Sequence, residues 1–388
     1  LAGRSLVFER AVAQSSWTRS SMGSIFTGRW PQHHGANDTA DRLAERLVTL
    51  AEVLLAHGYE TAGFTANPLV DHTFGFDQGF TTFASITGEQ SFLARSEELQ
   101  RQALDWLDRR RDPDRPFFLY LHTMDPHEPY DPPADFRARW ALPGTPAEVG
   151  RVDWLARLRR GDVAPTPAVR DQVRAVYAAE VAANDARLGD WIEALRARGR
   201  FDGAIWIVAS DHGEAFAEHG HFGHRYGLNE ELLRVPLLWK APEGERGGER
   251  SPAVARHVDI LPTLLDALGL PPPGTLDGRS LAAADTDSTD PASVAFLETG
   301  PVRWTSVTDG RWKLIRSRRR GGPDRVELFD LTRDPDERND LSTQETGKVE
   351  ALLATLDASE PEVAPPATGE VEIDPALRAR LEALGYAD

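Results

Sequence analysis

The sequence predicts an α/β protein: a mostly parallel sheet flanked by helices, with a small antiparallel subdomain near the C-terminus. Three observations point there. Apolar runs of strand length alternate with helical patterns as far as residue 290. Several of those runs end in loops bearing Asp, His or Ser, where open α/β sheets place their ligands. Beyond Pro291, short β-type segments follow one another across tight turns. The expected division is a catalytic unit over 1–290, an antiparallel unit over 291–345 and a helical tail over 346–388.

Taken in order, residues 47–57 carry apolar positions at helical spacing, with Gly58 as the stop. Residues 61–65 read as a short strand, and Asn67-Pro68 turns out of it. A helix over 96–110 begins at Ser96 as its cap and turns Leu99, Ala103, Trp106 and Leu107 inward. Buried strands are expected over 117–121 and 204–209, separated by a long helix over 166–198 with Pro167 in its first turn. A strand over 235–239 and a helix over 258–268 follow. Strands over 294–298, 304–308, 311–316 and 325–331 build the antiparallel unit, turning at Asp309-Gly310 and Gly321-Gly322. The basic run Arg316, Arg318, Arg319, Arg320 reads as a solvated turn. Ala364-Pro365-Pro366 reads as a linker, and a last helix spans 375–384 and ends at Gly385.

Composition limits the function. Lys+Arg number 44 and Asp+Glu 61, for a net charge of −17. That field repels polyanions and anionic membrane surfaces, so no nucleic-acid partner is expected. A small anionic ester remains compatible, because a metal and a few cations can invert the field locally. The absence of cysteine excludes disulfides, a thiolate metal site and a thiol nucleophile. No apolar run approaches the roughly 18 residues of a membrane span. Oligomeric state and compartment stay open.

Two motifs carry the chemistry. Ser210-Asp211-His212-Gly213-Glu214 follows the strand-like run 204–209. An adjacent carboxylate and imidazole at a strand end can ligate one divalent metal; a buried hydrogen-bonded pair is the alternative. His219, His221 and His224 come directly after. The second motif, Ser16-Trp17-Thr18-Arg19-Ser20-Ser21-Met22-Gly23-Ser24-Ile25-Phe26-Thr27-Gly28-Arg29, leads a hydroxyl-rich turn into a short helix that Gly28 can close. Thr18 there is either a helix cap or a nucleophile at a helix N-terminus.

Together these motifs resemble the alkaline phosphatase superfamily, specifically its sulfatase branch, where the nucleophile precedes a Thr-Gly pair by nine residues, as Thr18 precedes Thr27-Gly28. The resemblance extends through Asp125-Pro126-His127-Glu128-Pro129-Tyr130, Phe222-Gly223-His224, His257-Val258-Asp259, Leu276-Asp277-Gly278-Arg279 and Arg311-Trp312-Lys313 to Glu327-Leu328-Phe329-Asp330. It implies an alkaline-phosphatase/sulfatase-like fold whose first strand and acidic metal-binding pair would precede Leu1. It further implies Thr18 as nucleophile and Asp211 and His212 as metal ligands. His127 and His224 would be catalytic groups at the transferred or leaving group, with Lys313 and Asn67 contacting substrate.

An imidazole ligand tilts the divalent metal toward Zn or Mn rather than Ca. The family's usual nucleophile is a cysteine or serine oxidised to formylglycine. Threonine cannot give that aldehyde, because its β-carbon also bears a methyl. Ser20 and Met22 replace the proline and arginine usual in the oxidation signal. The expected enzyme is therefore a metal-dependent hydrolase of sulfate or phosphate esters with Thr18 as direct nucleophile, more active on phosphate than on aryl sulfate. A phosphodiesterase or phosphoethanolamine-transferase-like enzyme and a non-catalytic binding protein on the same fold are the alternatives.

Overall fold

The polar helix that carries Thr18 sits in the interior, and the rest of the fold is arranged around it. A computed structural model describes residues 1–86, 96–282, 292–360, 371, 373 and 375–383. The chain enters through strand β1 (Leu6–Val12) and a buried loop, then forms α1 (Thr18–Thr27). Every α1 residue except Ile25 is buried, although six of its ten residues are Ser, Thr or Arg. Buried polar groups need partners. Accordingly, Ser21 Oγ donates to the Ser15 carbonyl at 3.0 Å, and Arg19 Nη1 reaches the carbonyls of Asp38, Thr39 and Asp41 at 2.6–3.0 Å. Gly23 has no side chain because His34 lies across it: a Cβ there would meet His34 Cε1 at 2.6 Å. Gly28 closes the helix in the left-handed region at φ 65°, as its sequence position predicts.

Helices α2 (Pro31–His34) and α3 (Leu50–Ala56) follow. The helix expected from residue 47 starts three residues later, because Thr49 and Glu52 form a reciprocal capping box. Strands β2 (Glu60–Thr65) and β3 (Thr82–Ser85), helix α4 (Ser96–Arg109) and strand β4 (Phe117–His122) then build a wholly parallel sheet in the order β3-β2-β4. Ser96 lies inside α4 rather than before it; its hydroxyl is 2.5 Å from Asp125 Oδ2 and 2.8 Å from Asn184 Oδ1.

Two short helices, α5 (Ala134–Trp140) and α6 (Val152–Arg159), precede α7 (Pro167–Ala197). Thr166 caps α7 through its side chain, and Pro167 occupies the first turn. Strand β5 (Trp206–Ala209) leads into the short hairpin β6 (Ala215–Phe216) and β7 (Phe222–Gly223), then α8 (Glu230–Leu233), β8 (Arg234–Lys240), β9 (Arg250–Arg256) and α9 (His257–Ala267). These strands join β1 in a second sheet, ordered β5-β8-β1-β9, in which β8 is antiparallel to both neighbours and β1 is parallel to β9.

The α/β class and its mostly parallel strands hold, but the strands form two sheets rather than one. This explains another departure. The strands expected over 117–121 and 204–209 are half-buried along most of their length, because β4 and β5 each stand at the edge of a sheet. The main core lies under both sheets, where Phe8, Ala62, Phe64, Leu99, Trp191 and Leu237 pack together.

The antiparallel unit is present as β10 (Ser293–Thr299), β11 (Val302–Thr308), β12 (Trp312–Arg319) and β13 (Asp324–Asp330), paired in sequence order and backed by α10 (Thr346–Ala358). Helix α11 (Pro375–Ala383) matches the last predicted helix. The basic run is not simply a solvated turn. Arg316 points under α10, where it is buried and bonds Asp357 Oδ1 at 2.7 Å, and Arg318 pairs with Asp324 at 2.8 Å. The pattern change at Pro291, the linker at Ala364-Pro365-Pro366 and the stop at Gly385 lie outside the described residues.

A buried ion cluster ties the antiparallel sheet to α8. Lys313 Nζ on β12 lies 2.7 Å from Glu230 Oε1 and 2.9 Å from Glu337 Oε1, with Lys313 1% and Glu337 0% exposed along their side chains. Burial works against the lysine charge, but the two carboxylates outweigh it and raise the pKa above its ordinary value. Removing one partner of a buried cluster strands the others. Lys313→Ala should cost about 3–5 kcal/mol in urea unfolding; a loss below about 1 kcal/mol, the scale of an exposed pair, would contradict this assignment.

Candidate active site

Strand C-terminal ends supply the site. β1 and β5 both run antiparallel to β8, so their C-terminal ends lie on one side; β1 leads to Thr18 and β5 to Asp211. β2 leads to Asn67, β4 to His127 and β9 to His257. This is the edge at which α/β sheets bind ligands.

Thr18 is the first residue of α1, and Trp17 occupies the cap position without a side-chain cap bond. The Thr18 hydroxyl is therefore not a helix cap. It lies 3.2 Å from His212 Nε2 and hydrogen-bonds to Asp211. His212 Nδ1 donates to the Gly213 carbonyl at 2.8 Å, which orients the ring so that Nε2 faces Thr18. Burial alone would raise the Asp211 pKa; His212, His122 and the Thr18 hydrogen bond instead hold it below the ordinary carboxylate range.

Two further imidazoles stand beside His212. The His224 ring is 4.3 Å from that of His212, and the His127 ring is 5.1 Å from that of His224. His127 Nδ1 donates to the Glu128 carbonyl at 2.6 Å. Burial, followed by the neighbouring His224, lowers the His127 pKa to about 3. Burial, followed by His212, also takes His224 well below its ordinary value. Both rings are thus held neutral. Asn67 Nδ2 lies 3.4 Å from His122 Nε2, whose Nδ1 is 2.7 Å from the Tyr120 hydroxyl. Asn67 also accepts the Leu69 amide at 2.9 Å, which fixes the loop after β2.

The structure thus brings Thr18, Asp211, His212, His224 and His127 together. Lys313 instead belongs to the buried ion cluster with Glu230 and Glu337. The run of histidines divides at the β6–β7 hairpin: His212 and His224 face the site, whereas His219 pairs with Glu231 at 2.7 Å and His221 stacks on Tyr226. Three neighbours received no role from sequence reasoning. His257 Nε2 donates to the Ser210 carbonyl at 2.9 Å and pins the Asp211 loop; its place directly after β9 was the available signal. Glu214 closes the SDHGE motif and is buried behind His224. Arg159 of α6 pairs with Glu128, next to His127, and nothing in its local sequence marks it.

A family model described as Sulfatase matches residues 1–270. The chain belongs to the sulfatase family. The members of this family are sulfuric ester hydrolases of the alkaline phosphatase superfamily. A second model, N-sulphoglucosamine sulphohydrolase, C-terminal, matches residues 217–359 and so spans the antiparallel sheet. Arylsulfatase K of Rattus norvegicus is 26% identical over 410 residues, covering 88% of this chain and 69% of that protein. The chain therefore spans about two thirds of that relative's length. One solved structure, of a protein in complex with its substrate D-glucosamine-2-N,6-O-disulfate, superposes with a TM-score of 0.77 at 21% identity, covering 92% of this chain and 91% of the other. The phosphonate monoester hydrolase of Agrobacterium radiobacter gives 0.74 at 19% identity, covering 93% and 90%. At these identities the two structures establish a shared fold.

Sulfatases of this family use a divalent metal. Asp211, held anionic, and His212, with its Nε2 beside Thr18, suit part of a mixed oxygen and nitrogen shell. Among the described residues no group of three or more His, Cys, Asp or Glu forms a metal-holding cluster, so these two residues account for part of a shell only.

His219 sits outside this centre and has its own pH signature. Its bond to Glu231 raises its pKa to about 9 from the ordinary 6.5. A raised folded-state pKa means that the stabilisation is complete below pH 6.5 and is lost as pH rises through about 9. Urea unfolding across that window should show falling stability, and His219→Gln should flatten the fall. An identical slope in the variant would refute the pair's contribution.

Proposed function

We propose that this sulfatase-family protein hydrolyses small anionic sulfate or phosphate esters, with Thr18 as the direct nucleophile. The observation that carries the reading is the Thr18 hydroxyl at the head of α1, 3.2 Å from His212 Nε2 and hydrogen-bonded to an ionised Asp211. A hydroxyl needs help to give up its proton, and an adjacent acceptor on a buried loop provides it. The Thr18 proton passes to the Asp211 carboxylate as Oγ1 bonds to the sulfur or phosphorus, and the ester oxygen leaves on the opposite side, taking up that proton by way of solvent. Water then attacks the same central atom, releasing sulfate or phosphate and restoring the Thr18 hydroxyl. His127 and His224, both neutral, face the transferred group and the leaving oxygen and supply polar N–H or lone-pair contacts there.

Asp211 and His212 would hold the divalent metal, with Zn or Mn suiting the imidazole better than Ca. When bound, the ion supplies positive charge beside Thr18 and lowers the cost of its ionisation. Asn67, anchored beside His122, would line the substrate side. Lys313 would act on substrate only through Glu230 and α8.

The name of the arylsulfatase K relative favours sulfate esters. The residue at position 18 favours phosphate as a second reading. A formylglycine hydrate can expel sulfate by reverting to its aldehyde, whereas a threonine ester must be cleaved at the central atom, a step well suited to phosphorus. Parallel assays on aryl sulfate, phosphate monoester, diester and phosphonate substrates distinguish the two, and turnover on phosphorus should exceed that on sulfate.

Thr18→Ala should lower turnover by roughly 10⁴ or more, the scale of nucleophile removal, while Thr18→Ser keeps part of it. Intact-mass analysis during turnover should place the added group on Thr18; an unchanged Thr18→Ala rate would remove the nucleophile assignment. For the metal, chelation of the whole protein should abolish activity, and Zn or Mn should restore it. Asp211→Ala should lose both activity and metal binding by equilibrium dialysis. Full activity of that variant in metal-free buffer would end the metal reading.

A further inference from the structure

The β6–β7 hairpin builds a second carboxylate–imidazole pair within the site. Its register pairs Ala215 with Gly223 and Phe216 with Phe222. One step toward the open end, the same register sets Glu214 opposite His224, and side chains facing each other across strands meet. Glu214 Oε2 is 3.5 Å from His224 Nδ1, and both side chains are 6% exposed. The Tyr130 hydroxyl hydrogen-bonds to Glu214, and Arg159 lies within electrostatic reach of it. Phe216 and Phe222 pack with Tyr130, Val173 and Val176, so the hairpin is anchored by its own apolar contacts.

We infer that Glu214 is the positioning residue for His224: its carboxylate fixes the proton on Nδ1 and turns Nε2 toward the gap shared with His212 and His127. An imidazole has two distinct nitrogens, and the partner of one decides what the other presents. A carboxylate behind Nδ1 selects the tautomer with its proton there. Nε2 then faces substrate with a lone pair, in the same sense as His212 Nε2 faces Thr18. Glu214 itself does not touch the reacting atoms. A purely structural Glu214 would serve only the Tyr130 hydroxyl, and the tautomer of His224 would not depend on it.

The inference rests on the hydrolase reading, and Thr18→Ala separates the two. If Thr18→Ala keeps wild-type activity, Thr18 is not the nucleophile. Whether or not it does, a double-mutant cycle tests Glu214 in the same way. Glu214→Gln alone should lower kcat by about 10–100-fold, the usual cost of removing such a partner, with KM little changed. In a His224→Ala background it should cause no further loss, because Glu214 acts through His224. An equal loss in both backgrounds would overturn the inference. A second readout needs no turnover. With ¹⁵N-labelled histidine, the His224 ring should show the Nδ1–H tautomer in the wild-type protein and lose that preference in Glu214→Gln. If His224→Ala is unfolded or too slow to assay, this measurement decides alone: an unchanged tautomer overturns the inference.

Discussion

A buried negative charge at Asp211 is the constraint on which the site depends. Taking a carboxylate out of water is costly unless it is paired and hydrogen-bonded. Here His212, His122 and the Thr18 hydroxyl provide that compensation. Each compensating group is held in turn. His212 is anchored by the Gly213 carbonyl, His122 by Tyr120 and Asn67, and Thr18 by its place at the head of α1. The loop itself is pinned from β9 through His257 and Ser210. The charge therefore organises residues from five separate strand ends.

The same logic explains the polar interior of α1. A helix that must deliver a hydroxyl to a buried carboxylate cannot lie on the surface. Its serines and the neighbouring His34 find partners inside the protein, and its arginine is held through Nη1 on three backbone carbonyls. Burial drives the His34 pKa down to about 3, so that ring is a neutral spacer between α1 and the turn after α2. Asp277 completes the packing, accepting the Trp30 amide at 2.7 Å and pairing with His33 at 2.7 Å. Position rather than flexibility is what this arrangement supplies, in keeping with catalysis by pre-oriented groups.

The peripheral elements serve the centre at one remove. The β6–β7 hairpin carries His224 and Glu214, and its satellite core joins it to α6 and α7. The antiparallel sheet reaches the site loops through Lys313, Glu230 and Glu337. The chain that follows the Asp211-His212 loop is thus tied down at both ends, by apolar packing on one side and by buried charge on the other.

From the sequence alone, the α/β class, the helix that Thr18 opens and the Asp211-His212 strand end were legible. Each rests on local signals: hydrophobic period, a closing glycine, and polar residues directly after an apolar run. Most element boundaries were also readable, with errors where a local device intervened, as with the Thr49–Glu52 capping box that sets the start of α3. What the sequence could not determine depended on contacts between distant residues. The division of the strands into two sheets, and the half-burial of β4 and β5, follow from strand order, which periodicity does not encode. Glu214 and His224 are ten positions apart and meet only through hairpin register. Lys313 has the composition of a ligand-binding lysine, and only the carboxylates at 230 and 337 reveal its ion cluster. A residue's type fixes the chemistry open to it, but burial and partners, which only the folded chain supplies, decide which part of that chemistry it uses.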